Sequence, residues 1–187
     1  MTPRPDAARS RARILDAARD LPADDLRLND VAHRAGVGVA TAYRHFPTVH
    51  ALVEALAEAD LARYSDLARR ACAEPDPLRG LDLLVRDGLA LQLAGDGLQA
   101  VLLADRDTSP AVTAIKDELL AAVETVVARA VAAGAARPDL TPARLRHLVC
   151  GVEHAVRVAG GGADEREFHL AAALAGLRAG PPAATGR

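Results

Sequence analysis

The side chains best placed to enter a DNA groove lie on one predicted short helix, residues 39–45. An α-helix fits the major groove of B-DNA, and these residues lie on the leading end of the helix. The face predicted to point outward consists of Val39, Ala40, Thr41, Tyr43, Arg44 and His45. Taken alone, such residues are equally compatible with the ordinary surface of a small helix. The elements around them therefore decide the interpretation.

The preceding residues predict a helix-turn-helix, which needs two short helices crossed at a steep angle. A first short helix is predicted over residues 28–35, and Ala32 is small at the point where the second helix must approach. Gly36 follows, and glycine readily adopts the left-handed conformation that such a turn requires. The residues predicted to point inward and fix the angle are Val31, Val37, Ala42 and Phe46.

The composition predicts an all-α chain of about nine helices. Half of the 187 residues are hydrophobic, but only 2% are aromatic. Ala and Leu, which dominate, are strong helix formers, and the runs of β-branched and aromatic residues that favour strands are missing. Proline, glycine and capping residues mark the ends of the helices. The predicted helices are 9–21, 28–35, 39–45, 48–72, 77–95, 96–104, 109–134, 142–160 and 164–180.

The distribution of charge favours nucleic-acid contact at the N-terminal end alone. Residues 1–50 contain eight Arg and six Asp, whereas residues 51–187 contain 15 Lys and Arg against 19 Asp and Glu. The net charge of the whole chain is -2, which argues against a generally basic nucleic-acid binder.

The sequence predicts a cytoplasmic protein without a membrane segment. No apolar run reaches the roughly 18–20 residues that cross a bilayer. Residues 1–10 are polar and lack the apolar core of a secretory signal. Cys72 and Cys150 lie far apart and form no CxxC motif, which is typical of two reduced thiols.

Over residues 9–56 the chain resembles the TetR family of regulators. The resemblance rests on an apolar helix, on the helix-turn-helix and on the start of the following long helix. The matching residues are Ile14-Leu15-Asp16-Ala17-Ala18, Val31-Ala32-His33-Arg34-Ala35-Gly36-Val37, Thr41-Ala42-Tyr43-Arg44-His45-Phe46 and Leu52. Beyond this stretch, only the number of helices and the total length are similar to the family.

The resemblance implies roles for individual residues of the DNA-contacting face. Thr41 and Tyr43 are expected to touch phosphates or groove edges, His45 the DNA backbone, and Val39 with Ala40 the bases. Asn29, near the start of the preceding helix, falls where the family often touches phosphate.

The same resemblance implies a division into two domains. A DNA-binding domain is expected over residues 9–50 and an effector-binding and dimerisation domain over residues 51–180. Flexible tails are expected at residues 1–8 and 181–187.

Two apolar stripes at helical spacing predict a homodimer built on the last two helices. Such stripes can pair with their copies as a four-helix bundle, or they can pack into the chain's own core. A dimer would place two recognition helices about 34–36 Å apart and would require a near-palindromic operator. The stripes are Leu145, Leu148, Val149, Val152, Val156, Leu170, Leu174 and Leu177.

The resemblance also implies a pocket for a small-molecule effector among the helices of residues 48–134. These helices are rich in Leu and Val, which leaves two alternatives, a cavity or a solid aliphatic core. The candidate lining residues, with a few polar groups to orient a ligand, are Tyr64, Arg86, Leu89, Leu93, Leu102, Val123, Val127 and His154.

The leading interpretation is a ligand-responsive transcriptional regulator, usually a repressor, that binds duplex DNA. The alternative is a helical small-molecule-binding protein with weakened or lost DNA binding. It is supported by Gly38, which stands in place of the family's usual Ser, and by Val49, which stands in place of its usual Lys.

An enzyme is not predicted, because no nucleophile–base arrangement or cofactor loop is visible. No cofactor and no metal are predicted either. His147 and His154 are seven residues apart, a rise of roughly 10 Å along a helix, which is too far for one ion bound by these two groups alone.

Overall fold

The described residues form helices and no strand. The computed structural model describes residues 5–22, 25–95 and 97–178. The one β-type contact in this part of the chain is an isolated bridge between Ala136 and Arg178. Its nine helices are α1 Pro5–Arg19, α2 Leu28–Ala35, α3 Val39–His45, α4 Val49–Ala73, α5 Pro77–Ala94, α6 Leu98–Leu103, α7 Pro110–Ala132, α8 Pro142–Val158 and α9 Ala163–Leu177. The all-α prediction is therefore confirmed.

Capping residues explain where several helices begin. The Thr48 hydroxyl accepts a hydrogen bond from Ala51 N at 3.0 Å, and the Thr141 hydroxyl accepts one from Arg144 N at 3.2 Å. Such bonds satisfy backbone N–H groups that the first helical turn leaves without partners. Among the helices that the structure describes, none has the length and apolarity needed to cross a membrane.

The N-terminal helix begins earlier than expected. It starts at Pro5, so residues 5–8 belong to α1 and not to a flexible tail. Proline suits the first turn of a helix, because its missing N–H would have no helical partner there. The remaining tail residues, 1–4 and 181–187, lie outside the described residues.

The chain divides into two compact units. The first unit contains residues 1–61 and 95–114, and the second contains residues 62–94 and 115–187. Helices α4 and α7 contribute residues to both units. The first unit therefore extends beyond residue 50, where the sequence places the end of the DNA-binding domain.

In the first unit, α1, α2 and α3 pack against one another. Ile14 and Ala18, one helical turn apart on α1, are completely buried, as are Val31 and Ala32 on α2. Residues four apart lie on the same face of a helix, so α1 presents one apolar stripe to the other two helices. This three-helix packing holds α3 in place.

In the second unit, α5 packs against α8 and α9, and α8 packs against α9. Gly88 allows α5 to approach the Tyr64 ring closely. A Cβ atom at residue 88 would lie 2.6 Å from the Tyr64 hydroxyl oxygen, so any larger residue would displace the ring.

The two stripes predicted to form the dimer interface lie mostly inside the protomer. Seven of the eight residues are buried in the single chain, and Leu148 alone is half-buried. Val156 is fully buried and Leu174 is 3% exposed. Because α8 and α9 pack on α5, these side chains fill the protomer's own core.

Candidate nucleic-acid interface

The turn between α2 and α3 depends on a left-handed residue. Gly36 has φ 60° and ψ 37°, a conformation that glycine adopts without the steric cost of a Cβ atom. Val37 N donates a hydrogen bond to Ala32 O at 3.0 Å, which closes the end of α2. Arg13 Nη2 donates to Gly36 O at 2.9 Å and so connects α1 to the turn.

Helix α3 begins without a side-chain cap. Gly38 is extended, with φ -67° and ψ 140°, and its carbonyl accepts hydrogen bonds from Thr41 N at 2.8 Å and Ala42 N at 3.1 Å. Arg27 precedes α2 and also makes no side-chain cap. The backbone alone therefore starts both helices of the motif, although Ser, Thr, Asp or Asn is preferred at such positions.

The inward face of α3 is fixed by two buried residues. Ala42 is completely buried and Phe46 is 3% exposed. Val37, predicted to point inward, is only half-buried. Phe46 also lies under a cation, because the Arg11 guanidinium carbon stands 5.3 Å from the centre of its ring.

The outward face of α3 is exposed to solvent. Tyr43 is 46% exposed, which is unusual for a large aromatic side chain, and Ala40 and Arg44 are exposed as well. Arg44 Nε donates to Ala40 O at 3.2 Å, so its guanidinium group lies along the helix. Among the other residues predicted to contact DNA, Asn29 on α2 is exposed. The half-buried ones are Val39, Thr41 and His45.

Acidic neighbours partly compensate the cations of α1. Arg9 forms an ion pair with Asp6, and Arg19 pairs with Asp16 at 3.2 Å. These exposed pairs contribute little to stability, because water screens them. The cations of α1 are therefore partly neutralised within their own helix.

Tyr64, the predicted effector-contacting phenol, is buried in the second unit. Burial raises the pKa of this phenol to about 12, and a hydrogen bond with Gln92 acts in the opposite direction. Gln92 is 2% exposed and lies near Cys150, whose Sγ is 3.9 Å from the Gln92 side-chain oxygen. Tyr64 therefore lies in a small polar cluster within an aliphatic interior.

The other predicted effector residues do not all join this cluster. Arg86 is exposed and pairs with Glu167 at 3.5 Å, and His154 is exposed too. Leu102 belongs to the first unit, whereas the other seven belong to the second. Leu89 and Val127 are buried, and Leu93 and Val123 are half-buried.

Sequence reasoning missed four buried polar residues of the second unit, Ser65, Gln92, Lys116 and Glu153. Gln92 and Glu153 are each 2% exposed, and Glu153 pairs with Arg157, whose Nη2 also donates to Gln92 O at 2.9 Å. The available signal was a polar residue at helical spacing within an apolar stripe. Gln92 lies three residues after Leu89, and Glu153 lies four after Val149.

Two family models match the chain, and between them they cover most of it. The model described as bacterial regulatory proteins, tetR family, matches residues 14–56. The model described as the C-terminal domain of SbtR-like transcriptional regulators matches residues 76–179, more than half of the chain. The chain belongs to the TetR family. It is accordingly a transcriptional regulator with a helix-turn-helix DNA-binding domain, and the family resemblance seen in the sequence is confirmed.

Solved structures of transcriptional regulators are similar to this one. A TetR regulatory protein from Mycobacterium vanbaalenii is 34% identical, with 92% of this chain and 97% of that chain covered and a TM-score of 0.47. A TetR regulator from Streptomyces coelicolor is 26% identical, with 94% and 99% covered and a TM-score of 0.52. FadR from Bacillus subtilis, solved with stearoyl-CoA, shares the fold at 14% identity, with 91% and 99% covered and a TM-score of 0.58. No curated protein matches the chain.

Proposed function

We propose that this TetR-family protein is a ligand-responsive repressor that binds a near-palindromic operator as a homodimer. The observation that carries the proposal is the exposed outward face of α3, held on a turn that Gly36 closes. A helix presented in this way fits the major groove, where base edges can be read.

The side chains of α3 suggest how the readout is divided. Tyr43, Thr41 and Arg44 can donate hydrogen bonds to phosphate oxygens, which position the protein on the duplex without reading sequence. Val39 and Ala40 are apolar, so their contribution to sequence readout would be contact with a thymine methyl group. Asn29 and His45 would add contacts with the DNA backbone at the two ends of the motif.

The homodimer would use the outer faces of α8 and α9, since their apolar stripes are buried in the protomer. On the second half of α9 the exposed residues are small, which allows helices to approach closely, whereas α8 also exposes Arg144, His147, His154 and Arg157. Phe168 at 69% exposure and Val158 at 76% add large apolar groups that a partner would cover. The exposed small residues of the two helices are Ala143, Gly151, Ala163, Ala171, Ala172, Ala175 and Gly176.

The effector would bind near the polar cluster of the second unit. Ser65 Oγ and Glu153 Oε2 are buried atoms without a hydrogen-bond partner among the described residues. Unsatisfied buried polar atoms are costly, and a ligand's polar groups would relieve that cost. The stearoyl-CoA found with FadR concerns that protein, and its low identity leaves the chemical class of this effector open.

Release from DNA requires an effector that binds one conformation better than the other. The favoured conformation must space the two α3 helices wrongly for the operator. An effector with equal affinity for both conformations would change nothing.

DNA binding is tested by fluorescence anisotropy with duplexes from the region upstream of the protein's own gene. We expect a salt-sensitive complex with one duplex and much weaker binding to a scrambled one, because phosphate contacts release counterions. Tyr43→Ala should abolish specific binding while circular dichroism stays unchanged, and Tyr43→Phe, which keeps the ring, should retain part of it. Wild-type affinity in the Ala variant would refute the assignment of α3.

A second candidate is a helical binding protein that has lost DNA binding. The absence of side-chain caps at Gly38 and Arg27 favours it, because poorly capped helices are less stable. Equal affinity of the wild-type protein for operator-like and scrambled duplexes at every salt concentration would select this candidate.

Dimerisation is tested by sedimentation. We expect a dimer at micromolar concentration, and a monomer for Ala175→Glu, which places a charge on the exposed face of α9. Sedimentation of the wild-type protein as a monomer alone would exclude the homodimer.

The effector is tested by a thermal-shift screen whose hits are repeated with DNA present. Linkage requires a compound that releases DNA to bind more weakly to the DNA-bound protein. Hits that bind free and DNA-bound protein equally are not effectors.

A further inference from the structure

The first unit brings together three metal-ligating side chains that are distant in the sequence. His50 and Glu54 lie one turn apart on α4, and Asp107 precedes α7. One ligand atom from each residue lies within 4.8 Å of the others. His50 Nε2 is 3.0 Å from Glu54 Oε1. Sequence reasoning identified no metal site, because Asp107 follows Glu54 by 53 residues.

The backbone before α7 holds the Glu54 carboxylate rigidly. This side chain is 1% exposed. Thr108 N donates to Oε1 at 2.6 Å, Ser109 N donates to Oε2 at 2.9 Å, and the Thr108 hydroxyl also donates to Oε2. Hydrogen bonds of this kind orient a ligating carboxylate before an ion arrives. They also bring Asp107, the neighbour of Thr108, to the same place.

A simpler role as a helix cap accounts for Glu54 but not for His50. A carboxylate near a helix N-terminus satisfies backbone N–H groups and suits the helix dipole. His50 Nε2, however, is buried and makes no hydrogen bond of acceptable geometry, although Oε1 is 3.0 Å away. The two groups lie at ion-pair distance without hydrogen-bond geometry, an arrangement that a cation between them would also satisfy.

Access from solvent is compatible with a bound ion. The His50 side chain is 32% exposed and Asp107 is half-buried. A cavity of about 250 Å³ in the same unit is lined by Glu54, Thr108 and Ser109 but not by His50 or Asp107. Solvent therefore reaches the cluster from the side of His50 and Asp107, where water molecules can complete the coordination of an ion held by three protein ligands.

We propose that His50 Nε2, a Glu54 carboxylate oxygen and a carboxylate oxygen of Asp107 bind one first-row divalent cation of the zinc type. Imidazole favours zinc over magnesium or calcium, and carboxylates are accepted by zinc as well. Bonds of about 2.0–2.2 Å place ligand atoms roughly 3–3.5 Å apart, so the Asp107 carboxylate has to leave its present partner and turn toward the other two ligands when the ion binds.

The structure provides a matched control. His169 and Glu165 on α9 form the same pairing of residues four apart, with Nδ1 and Oε2 at 3.7 Å. Both are more open to solvent than Glu54, and this pair is not part of the cluster. His169→Gln therefore removes one imidazole from a similar pair without affecting the proposed ligands.

The test is calorimetric titration of Zn²⁺ into chelator-treated full-length protein, repeated with Mg²⁺. We expect the wild-type protein and His169→Gln to bind one Zn²⁺ per chain that His50→Gln does not bind. Asp107→Asn should weaken that site at least tenfold, and Mg²⁺ should bind far more weakly.

Thermal unfolding provides a second readout. Zn²⁺ should raise the midpoint of the wild-type protein and not that of His50→Gln, because an ion that binds the folded chain alone stabilises it. Circular dichroism without metal verifies that each variant folds. Equal stoichiometry and affinity in the wild-type protein, His50→Gln and Asp107→Asn would overturn the proposal.

Discussion

The helix-turn-helix of the first unit and the α8–α9 pair of the second carry similar apolar patterns but use them differently. In α2 and α3, residues such as Val31 and Ala42 are buried, and the opposite face, with Tyr43, is exposed as predicted. In α8 and α9, the stripes predicted to meet a second copy are buried in the same chain.

The difference shows what helical periodicity can determine. It identifies the face that needs an apolar partner but not the partner itself. In the helix-turn-helix the partner is fixed locally, because a short turn at Gly36 forces α2 and α3 together. For α8 and α9 the partner includes α5, about 50 or more residues earlier, and only the folded chain shows that α5 is there.

The largest expected effect concerns the buried stripe. Leu174→Ala should lower the free energy of unfolding by about 2–5 kcal/mol, because it opens a cavity in the core of the protomer. Ala175→Glu, on the exposed face beside it, should change that free energy by no more than about 0.5 kcal/mol at concentrations where the chain is monomeric. Urea denaturation measures both. A larger loss of stability in Ala175→Glu than in Leu174→Ala would indicate that the stripe lies in the dimer interface and not in the protomer's core.

The next effect is alkaline destabilisation of the second unit. The pKa of Tyr64 rises from an ordinary 10.0 to about 12 on folding, so the folded chain retains a proton that the unfolded chain loses. Stability should be complete below pH 10 and decline as the pH rises toward 12, by about 2–3 kcal/mol in all. Urea denaturation at pH 9 and pH 11.5 measures this, and Tyr64→Phe should remove the dependence. An equal decline of stability with pH in Tyr64→Phe would show that other groups cause the pH dependence.

A smaller effect is expected at the outward face of α3. Arg44→Ala should weaken DNA binding about equally for all sequences and reduce the slope of log affinity against log salt by about 1, because one phosphate contact is lost. Arg79→Ala provides the control, since Arg79 is an exposed arginine of α5 in the second unit. An unchanged slope in Arg44→Ala would exclude this side chain from the backbone contacts.

The sequence predicted the features that depend on neighbours along the chain. The helix starts at Thr48 and Thr141 follow from hydroxyl groups that reach N–H groups three residues ahead. The turn at Gly36 follows from glycine's access to positive φ. Each of these requires only a few consecutive residues.

Features that depend on distant neighbours were not predicted. The burial of Glu54 becomes understandable only when Thr108 and Ser109 lie beside it. Arg86, predicted to contact an effector, is likewise exposed and pairs with Glu167, 81 residues away. Long-range packing, not local propensity, decides whether such a charged residue is buried or exposed.

The smallest expected effect concerns the start of α3, where Gly38 provides no side-chain cap. Gly38→Ser adds a side chain that can cap the N–H groups of the first turn, which should raise stability by a few tenths of a kcal/mol. There is room for it, because a Cβ atom at residue 38 would meet its nearest neighbour, the Thr41 hydroxyl oxygen, at 3.8 Å. The backbone at Gly38 is already extended, as a capping residue requires. Anisotropy should show a modest gain in DNA affinity, because a better-capped α3 loses less entropy on entering the groove.

Gly97→Ser is a useful contrast, since a Cβ atom there would lie 3.2 Å from Val53 Cγ1 and 3.6 Å from Val53 O, which leaves no such room. Lower stability in Gly38→Ser would mean that the glycine is needed for its backbone freedom at this turn, not merely tolerated as a poor cap.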